Sequence, residues 1–475
     1  MVGTQRVLAA ALAGLVAIAG CTTSPRVPQL GAIYNRAAQH HGPFRNPIIV
    51  IPGIVGSRLR DARTGRTIWG AFDRDYADPT SPAGARVVAL PMREGVPLRE
   101  LRDDVVPDGV LDKLRVRLFG LPVQLKAYFE ILATLGAGGF RDQSVGLLGA
   151  IDYGRDHFTC FQFPYDWRRD NVENAVRLHQ FILEKGAYVR EEIRRRYGVD
   201  RDVKFDIVAH SMGGLIARYY RLYGAADLPS DGSTSPITWA GLRYVDRVIL
   251  VGTPDAGSVD ALMQLVNGSS VGRFLPWYGP AILGTFPSVY QLLPRTRHGA
   301  LVESDEAGAP RADVLDPGLW ERMGWGLASR DQDRILSWLL PEIPDPATRR
   351  RIALDHQRKC FARAQQLFTA LDQPEPPHEG GDLFLVAGDA APTSAVAALR
   401  GANGRLAVVR WEPGDGTVLR SSALLDERVG GTWSPTLVSP IVWRGATFLF
   451  SDHLGMTRDP AFADNVLYLL LEDRR

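Results

Sequence analysis

The stretch Val203-Lys204-Phe205-Asp206-Ile207-Val208-Ala209-His210-Ser211-Met212-Gly213-Gly214-Leu215-Ile216-Ala217-Arg218 joins an apolar run, a small-His-Ser-x-Gly turn and a helical continuation. That order puts a serine hydroxyl on a tight strand-to-helix elbow, where neighbours must be small because a bulky Cβ would clash. Ser211 is therefore the candidate nucleophile for acyl transfer, with Ala209 where a glycine is more usual. A serine at a helix start also has backbone N–H groups and the positive dipole end beside any oxyanion it creates.

A hydroxyl needs a base, and in this arrangement the partners follow in the order Ser, acid, His. The later histidines are His298, His356, His378 and His453. His298 sits among arginines in a loop, while His356, in a charged helical pattern, and His378, in a proline-rich linker, are expected at the surface. His453 follows the strand-like Thr447-Phe448-Leu449-Phe450 and precedes a last helix from about Pro460 to Leu471, so a late loop can carry its imidazole to Ser211. Two acids qualify. Asp389 follows the apolar run Leu383 to Ala387, and Asp415 lies in Pro413-Gly414-Asp415-Gly416-Thr417-Val418 after Leu406 to Trp411. Flanking glycines let the second loop turn sharply, but Gly-Asp-Gly is also an ordinary turn, and the local pattern leaves both open.

Elements able to position these residues are legible as apolar runs without alternation at 47–52, 205–209, 245–251 and 383–387, the signature of buried parallel strands. Helical spacing relates Leu125, Tyr128, Phe129 and Leu132, and again Leu178, Ile182, Val189 and Ile193 within Val172 to Tyr197. Alternating strands and helices predict an α/β fold with a mostly parallel sheet flanked by helices. The stretches from Pro52 to Cys160 and from Gly252 to Leu383 far exceed ordinary connections. A core domain over 47–475 is thus expected to carry inserted cap or lid segments at about 58–155 and 258–380, the second returning through a Pro- and Gly-rich linker at 372–381. Within it, the charge-free run Phe274 to Pro294 has too many prolines to span a membrane, and offers Trp277 and Ile282 as candidate acyl-chain contacts.

The 475 residues, 45% hydrophobic and 23% charged, with 55 basic against 53 acidic side chains, describe a folded globular protein without the clustered basic surface that nucleic acid would need. Cysteines at 21, 160 and 360 form neither a disulfide framework nor a zinc-ligand pattern, and a pairing of Cys160 with Cys360 stays open. No metal or organic cofactor is expected. Arg6 precedes an uncharged apolar run, Val7 to Ile18, too short to cross a bilayer core of ~30 Å. We read residues 1–20 as a signal peptide. Ile18-Ala19-Gly20-Cys21 resembles the lipobox of bacterial lipoproteins, so Cys21 is the expected lipid anchor, residues 21–46 the tether, and the bacterial cell envelope the expected location.

Taken together, Ile49-Val50-Ile51-Pro52-Gly53-Ile54-Val55-Gly56-Ser57-Arg58-Leu59, Pro164-Tyr165-Asp166-Trp167-Arg168, the elbow at Ser211, Gly252-Thr253-Pro254, Gly414-Asp415-Gly416-Thr417-Val418 with Ser421, and His453-Leu454-Gly455-Met456 resemble the lecithin:cholesterol acyltransferase family of α/β-hydrolases. The resemblance runs from about Pro47 to the C-terminus. It implies an α/β-hydrolase fold, a triad of Ser211, Asp415 and His453, and an oxyanion hole from the N–H groups of Ile54 and Met212. It also implies a serine acyl-ester hydrolase or O-acyltransferase on lipids, working through an acyl-enzyme. Mammalian members carry a disulfide-bounded lid loop where Arg58 to Asp78 has no cysteine; Trp69 is the candidate for an analogous lipid-facing part, and the acceptor is water, a sterol or another alcohol. The rival readings are a carboxylesterase or amidase on small substrates and a non-catalytic lipid-binding lipoprotein.

Overall fold

A computed structural model of the chain describes residues 28–72, 76–111, 113–118, 121–126, 129–145, 157–270, 276–400 and 405–474. Cys21, the signal segment and, in the charge-free run, Phe274 and Leu275 lie outside the described residues.

Six strands form the central sheet: β1 (Ile48–Ile51), β2 (Cys160–Gln162), β3 (Phe205–His210), β4 (Val245–Val251), β5 (Asp382–Gly388) and β6 (Gly445–Leu449). Their order is β6-β5-β4-β3-β1-β2 and every neighbouring pair is parallel, with Ile49 level with Ile207 and Phe161, and Val248 with Ile207 and Leu383. All residues of β1, β2 and β3 are buried, which explains why their sequences lack alternation. The chain runs from β1 out to β2 and then from β3 outward the other way, so the strand order reverses between β1 and β3, and a crevice opens outside their C-terminal ends.

Helices cover both faces. In α1 (Asn171–Tyr197) Asp170 caps the start by accepting the Val172 N–H, Gly198 closes the end at φ 67°, and Leu178, Ile182, Val189 and Ile193 are buried along one stripe. Each such side chain stabilises the fold by up to about 2 kcal/mol. α2 (Met212–Tyr223) is buried throughout, and α5 (Pro460–Leu471) packs Phe462, Val466 and Leu470 against the other face.

The first long insertion opens with Ser57–Asp61, Thr67–Trp69 and Val105–Val110, an antiparallel three-stranded sheet. Its continuation corrects one expectation. Leu121–Lys126 is a strand paired with Lys113–Leu118, and the helix described after it is Phe129–Ala137; Tyr128 lies outside the described residues. The helical spacing from Leu125 to Leu132 therefore straddles two elements. The second insertion carries α3 (Val259–Asn267), short helices at Pro280–Leu283 and Pro287–Tyr290, and α4 (Pro346–Leu371). A further excursion, a hairpin of Ala391–Arg400 with Arg405–Gly414, separates β5 from Asp415. Cys160 and Cys360 are buried and unpaired.

Candidate active site

The elbow is sharp because Ser211 takes φ 53° and ψ −128°, a conformation non-glycine residues rarely adopt, between the last residue of β3 and the first of α2. Its N–H donates to Val251 O at 2.8 Å on the neighbouring strand, which holds the turn to the sheet edge. The two glycines after Met212 permit close packing. A Cβ on Gly213 would lie 2.4 Å from Pro52 O, and one on Gly214 1.9 Å from Thr253 Oγ1, so α2 can sit against the turns after β1 and β4 only with glycine there.

Across the sheet edge, His453 Nε2 lies 3.0 Å from Ser211 Oγ and His453 Nδ1 lies 2.7 Å from Asp415 Oδ2. The other carboxylate oxygen, Oδ1, accepts the N–H groups of Thr417 (2.9 Å) and Val418 (2.7 Å). Backbone bonds join the two loops, since the His453 N–H donates to Asp415 O at 2.9 Å. With its carboxylate fully engaged, Asp415 is 2% exposed.

Asp389 does not share this geometry. Its carboxylate meets Arg420 at 3.2 Å. The remaining histidines are engaged elsewhere: His298 beside Glu427, and His378 with Nε2 2.7 Å from an Arg221 nitrogen. His356 corrects the surface expectation. It is buried on α4 and its Nε2–H donates to Thr285 O at 3.0 Å, because the charged residues around it in sequence face the opposite side of the helix.

Ile54 lies in the turn after β1, and Met212 is the first residue of α2, where the opening N–H groups of a helix have no intrahelical acceptor. The turn is held from below by the aromatic motif singled out in the sequence. Tyr165 donates its hydroxyl to Pro52 O at 2.8 Å and Trp167 its Nε1–H to Ser57 O at 3.1 Å. Trp69 donates Nε1–H to Val55 O at 2.7 Å, and Val55 itself sits at φ 57°, a strained conformation for a β-branched residue. Trp167 and Trp69 meet edge to face at 5.4 Å. Arg168, fully buried, pairs with Asp166 (2.8 Å) and Asp103 (2.7 Å) and donates to Val88 O, tying the same loop to the first insertion. The pinning of Val55 by Trp69 had no signal in the sequence beyond the presence of a tryptophan.

Ser211, His453 and Asp415 line a cavity of about 510 Å³, within the range of small-molecule sites. Its apolar wall includes Trp69, Trp167, Tyr278, Leu283, Phe286 and Val289. Polar groups from α3, Asp260 and Gln264, line another part, and burial raises the Asp260 pKa. Two of the acyl-contact candidates require correction. Trp277 is half exposed and stacked over Gly268 and Gly279, while its neighbour Tyr278, pointing to the other face, lines the cavity. Ile282 is 1% exposed in the core, and it is the adjacent Leu283 that reaches the cavity. Among the described residues no cluster of three or more His, Cys, Asp or Glu side chains is placed to hold a metal ion, and no helix is long and apolar enough to cross a membrane.

Residues 142–316, which include the elbow and Gly252-Thr253-Pro254, match the lecithin:cholesterol acyltransferase family. Over that stretch the chain is similar to the family. A second similarity agrees: lecithin-cholesterol acyltransferase-like 4 of Arabidopsis thaliana is 24% identical over 276 residues, 53% of this chain. The match spans 43% of the length of that plant acyltransferase-like protein. Among solved structures, the crystal structure of the Tle4-Tli4 complex superposes with a TM-score of 0.51 at 16% identity, covering 90% of this chain and 98% of that one. At that identity the likeness is one of fold, and with the parallel sheet and the serine elbow it gives this chain an α/β-hydrolase fold. Lipase 1 from Pelosinus fermentans aligns over 58% of this chain and 74% of its own at 15% identity, with a TM-score of 0.27.

Proposed function

We propose that the protein is a serine hydrolase or O-acyltransferase that cleaves acyl esters of lipids through a covalent acyl-enzyme on Ser211. One observation carries this reading: a serine elbow bonded in series to His453 (3.0 Å) and Asp415 (2.7 Å) at an apolar cavity of about 510 Å³. Ser211 Oγ attacks the acyl carbonyl and gives its proton to His453 Nε2. Asp415 fixes the imidazole with its proton on Nδ1 and stabilises the imidazolium, and the N–H groups of Ile54 and Met212 receive the oxyanion. Collapse breaks the ester bond as His453 returns the proton to the leaving alcohol. Water or a second alcohol, deprotonated by His453, then attacks the acyl-enzyme and restores Ser211.

Lipid as the substrate class is supported by the match of residues 142–316 to the lecithin:cholesterol acyltransferase family, by the apolar wall, and by two large apolar side chains beside the base: Phe450 is 87% exposed and Leu454, which lines the cavity, 65%. Such exposure beside a catalytic cavity suits contact with a lipid surface. The deciding experiment incubates the protein with phospholipid vesicles, with and without an alcohol acceptor, and weighs the products by mass spectrometry. Free fatty acid with lysophospholipid, or an acyl ester of the added alcohol, is expected, and Ser211→Ala abolishes both together with fluorophosphonate labelling. Turnover of soluble short esters alone would instead make it a small-ester hydrolase; undiminished activity in Ser211→Ala would remove the nucleophile from the scheme.

The same proposal tethers the enzyme to a bacterial envelope membrane through acylated Cys21, on the strength of the Ile18-Ala19-Gly20-Cys21 sequence. Cys21→Ala is expected to lose palmitate incorporation and membrane retention; palmitate that persists in that variant disproves the anchor.

A further inference from the structure

His210, the residue before the nucleophile, takes no part in the steps above, yet it is 2% exposed at the end of β3. Its Nε2 lies 3.1 Å from the backbone carbonyl oxygen of His453, and the two rings are 4.9 Å apart at their centroids with planes tilted by 46°. A carbonyl only accepts, so the His210 proton must sit on Nε2. The His453 main chain is thereby gripped on both sides of its Cα: its N–H by Asp415 O at 2.9 Å, its carbonyl by His210. One grip comes from the acid loop and the other from the residue covalently joined to Ser211. The flanking residues hold the loop to itself and to the helix that follows, with Asp452 Oδ1 accepting the Gly455 N–H at 2.7 Å and Ser451 donating to Asp459 at 2.7 Å, whereas the His210 bond ties it to the nucleophile strand.

We propose that His210 is a positioning residue for the base: its Nε2–H fastens the His453 main chain to the nucleophile strand and so sets the approach of His453 Nε2 to Ser211 Oγ. The inference rests on the reading of Ser211 and His453 as nucleophile and base. Its neutrality matters as much as its bond. When His453 takes the serine proton, a second imidazolium 4.9 Å away would oppose the new charge. Burial, reinforced by the charge His453 can carry, lowers the His210 pKa to about 3, while the bond to the His453 carbonyl and the Asp415 charge act the other way. Across the working pH range His210 therefore stays a donor and adds no charge.

The test measures kcat and KM on a soluble short-chain ester for His210→Phe and His210→Leu, which keep bulk without a donor, and for His210→Gln, whose amide N–H can replace it. Fluorophosphonate labelling of Ser211 in the unaltered protein is recorded first, so that failure of the nucleophile assignment is seen separately. Displacement of a base by about 1 Å costs on the order of 100-fold, so the apolar variants are expected to lose about 10- to 100-fold in kcat with KM nearly constant. His210→Gln is expected to recover most of that loss, with the acid limb of its pH profile superposing on that of the unaltered protein. Two folded apolar variants with full kcat would overturn the proposal. So would a glutamine variant, folded by circular dichroism, that is as impaired as they are, or an ionisation of the unaltered enzyme that vanishes in His210→Gln.

Discussion

Replacing Asp415 by Asn changes one atom, and the surrounding bonds dictate where that atom goes. Oδ1 of Asp415 accepts two backbone N–H groups, from Thr417 at 2.9 Å and Val418 at 2.7 Å, which only an oxygen can satisfy. The asparagine amide is therefore locked with its carbonyl toward that pair and its NH₂ toward His453 Nδ1, the place Oδ2 now holds at 2.7 Å. A facing donor makes Nδ1 an acceptor and moves the ring proton to Nε2. His453 then presents N–H to Ser211 Oγ across the 3.0 Å contact and can no longer take its proton. Loss of the correct tautomer in a serine triad costs about 10⁴ in kcat, which is about 5 kcal/mol of transition-state stabilisation. Asp389→Asn is the control, because its exposed-side pair with Arg420 contributes only ~0–1 kcal/mol to stability and touches no reacting group. The assay is release of a chromogenic alcohol from a short-chain ester, with melting temperatures taken in parallel. A kcat for Asp415→Asn within tenfold of the unaltered enzyme, or a larger loss for Asp389→Asn, would refute the reasoning and reassign the acid.

Two further outcomes are expected. Trp69→Phe keeps an aromatic wall but removes the 2.7 Å bond to Val55 O that restrains a residue at φ 57°, so kcat on a soluble ester should fall about 5- to 10-fold, the equivalent of one hydrogen bond of ~1 kcal/mol; an unchanged kcat would show that the turn holds itself. His356 has its pKa lowered by burial from 6.5 to about 4, so the unfolded chain binds a proton there that the folded chain refuses. Stability present above about pH 6.5 is lost as pH falls toward 4, by at most ~3 kcal/mol from this residue, and His356→Gln should flatten the urea-unfolding free energy across that window relative to the unaltered protein; an identical slope in the two would discard the assignment.

The parallel sheet was readable from the sequence because its strands are buried on both faces and so appear as unbroken apolar runs: 205–209 and 245–251 are recovered within a residue or so as β3 and β4. The serine elbow was readable for a related reason, since the small residues that permit it are adjacent in the chain. The acid was not fixed by local pattern. Asp389 directly follows β5, but a hairpin of 391–414 intervenes and returns the chain so that Ala391 lies beside Gly414. Asp415 is thereby brought back to the strand end that Asp389 has already left, a non-local pairing that no window of sequence around either residue contains. The acyl-contact candidates failed at a finer scale. Hydrophobicity marked the segment from Phe274 to Pro294, but which of Trp277 and Tyr278, or of Ile282 and Leu283, meets the cavity is a matter of one residue of register, and both members of each pair are apolar enough to be buried.

The same non-local logic explains why glycines recur around His453. Gly252, at the end of β4 with φ 58°, would place a Cβ 3.2 Å from His453 Cε1 and Nδ1, and Gly388, at the end of β5, would place one 2.6 Å from the Asp415 Cβ. Three loops from distant parts of the chain thus converge on a space where any side chain from β4 or β5 would push the imidazole or the carboxylate aside. The carboxylate has no room to retreat, because its outer oxygen is held by the Thr417 and Val418 N–H groups. Bare strand ends and backbone bonds, more than side-chain packing, therefore set the 2.7 Å and 3.0 Å contacts. That leaves the cavity wall free to differ in composition without disturbing the chemistry at its floor.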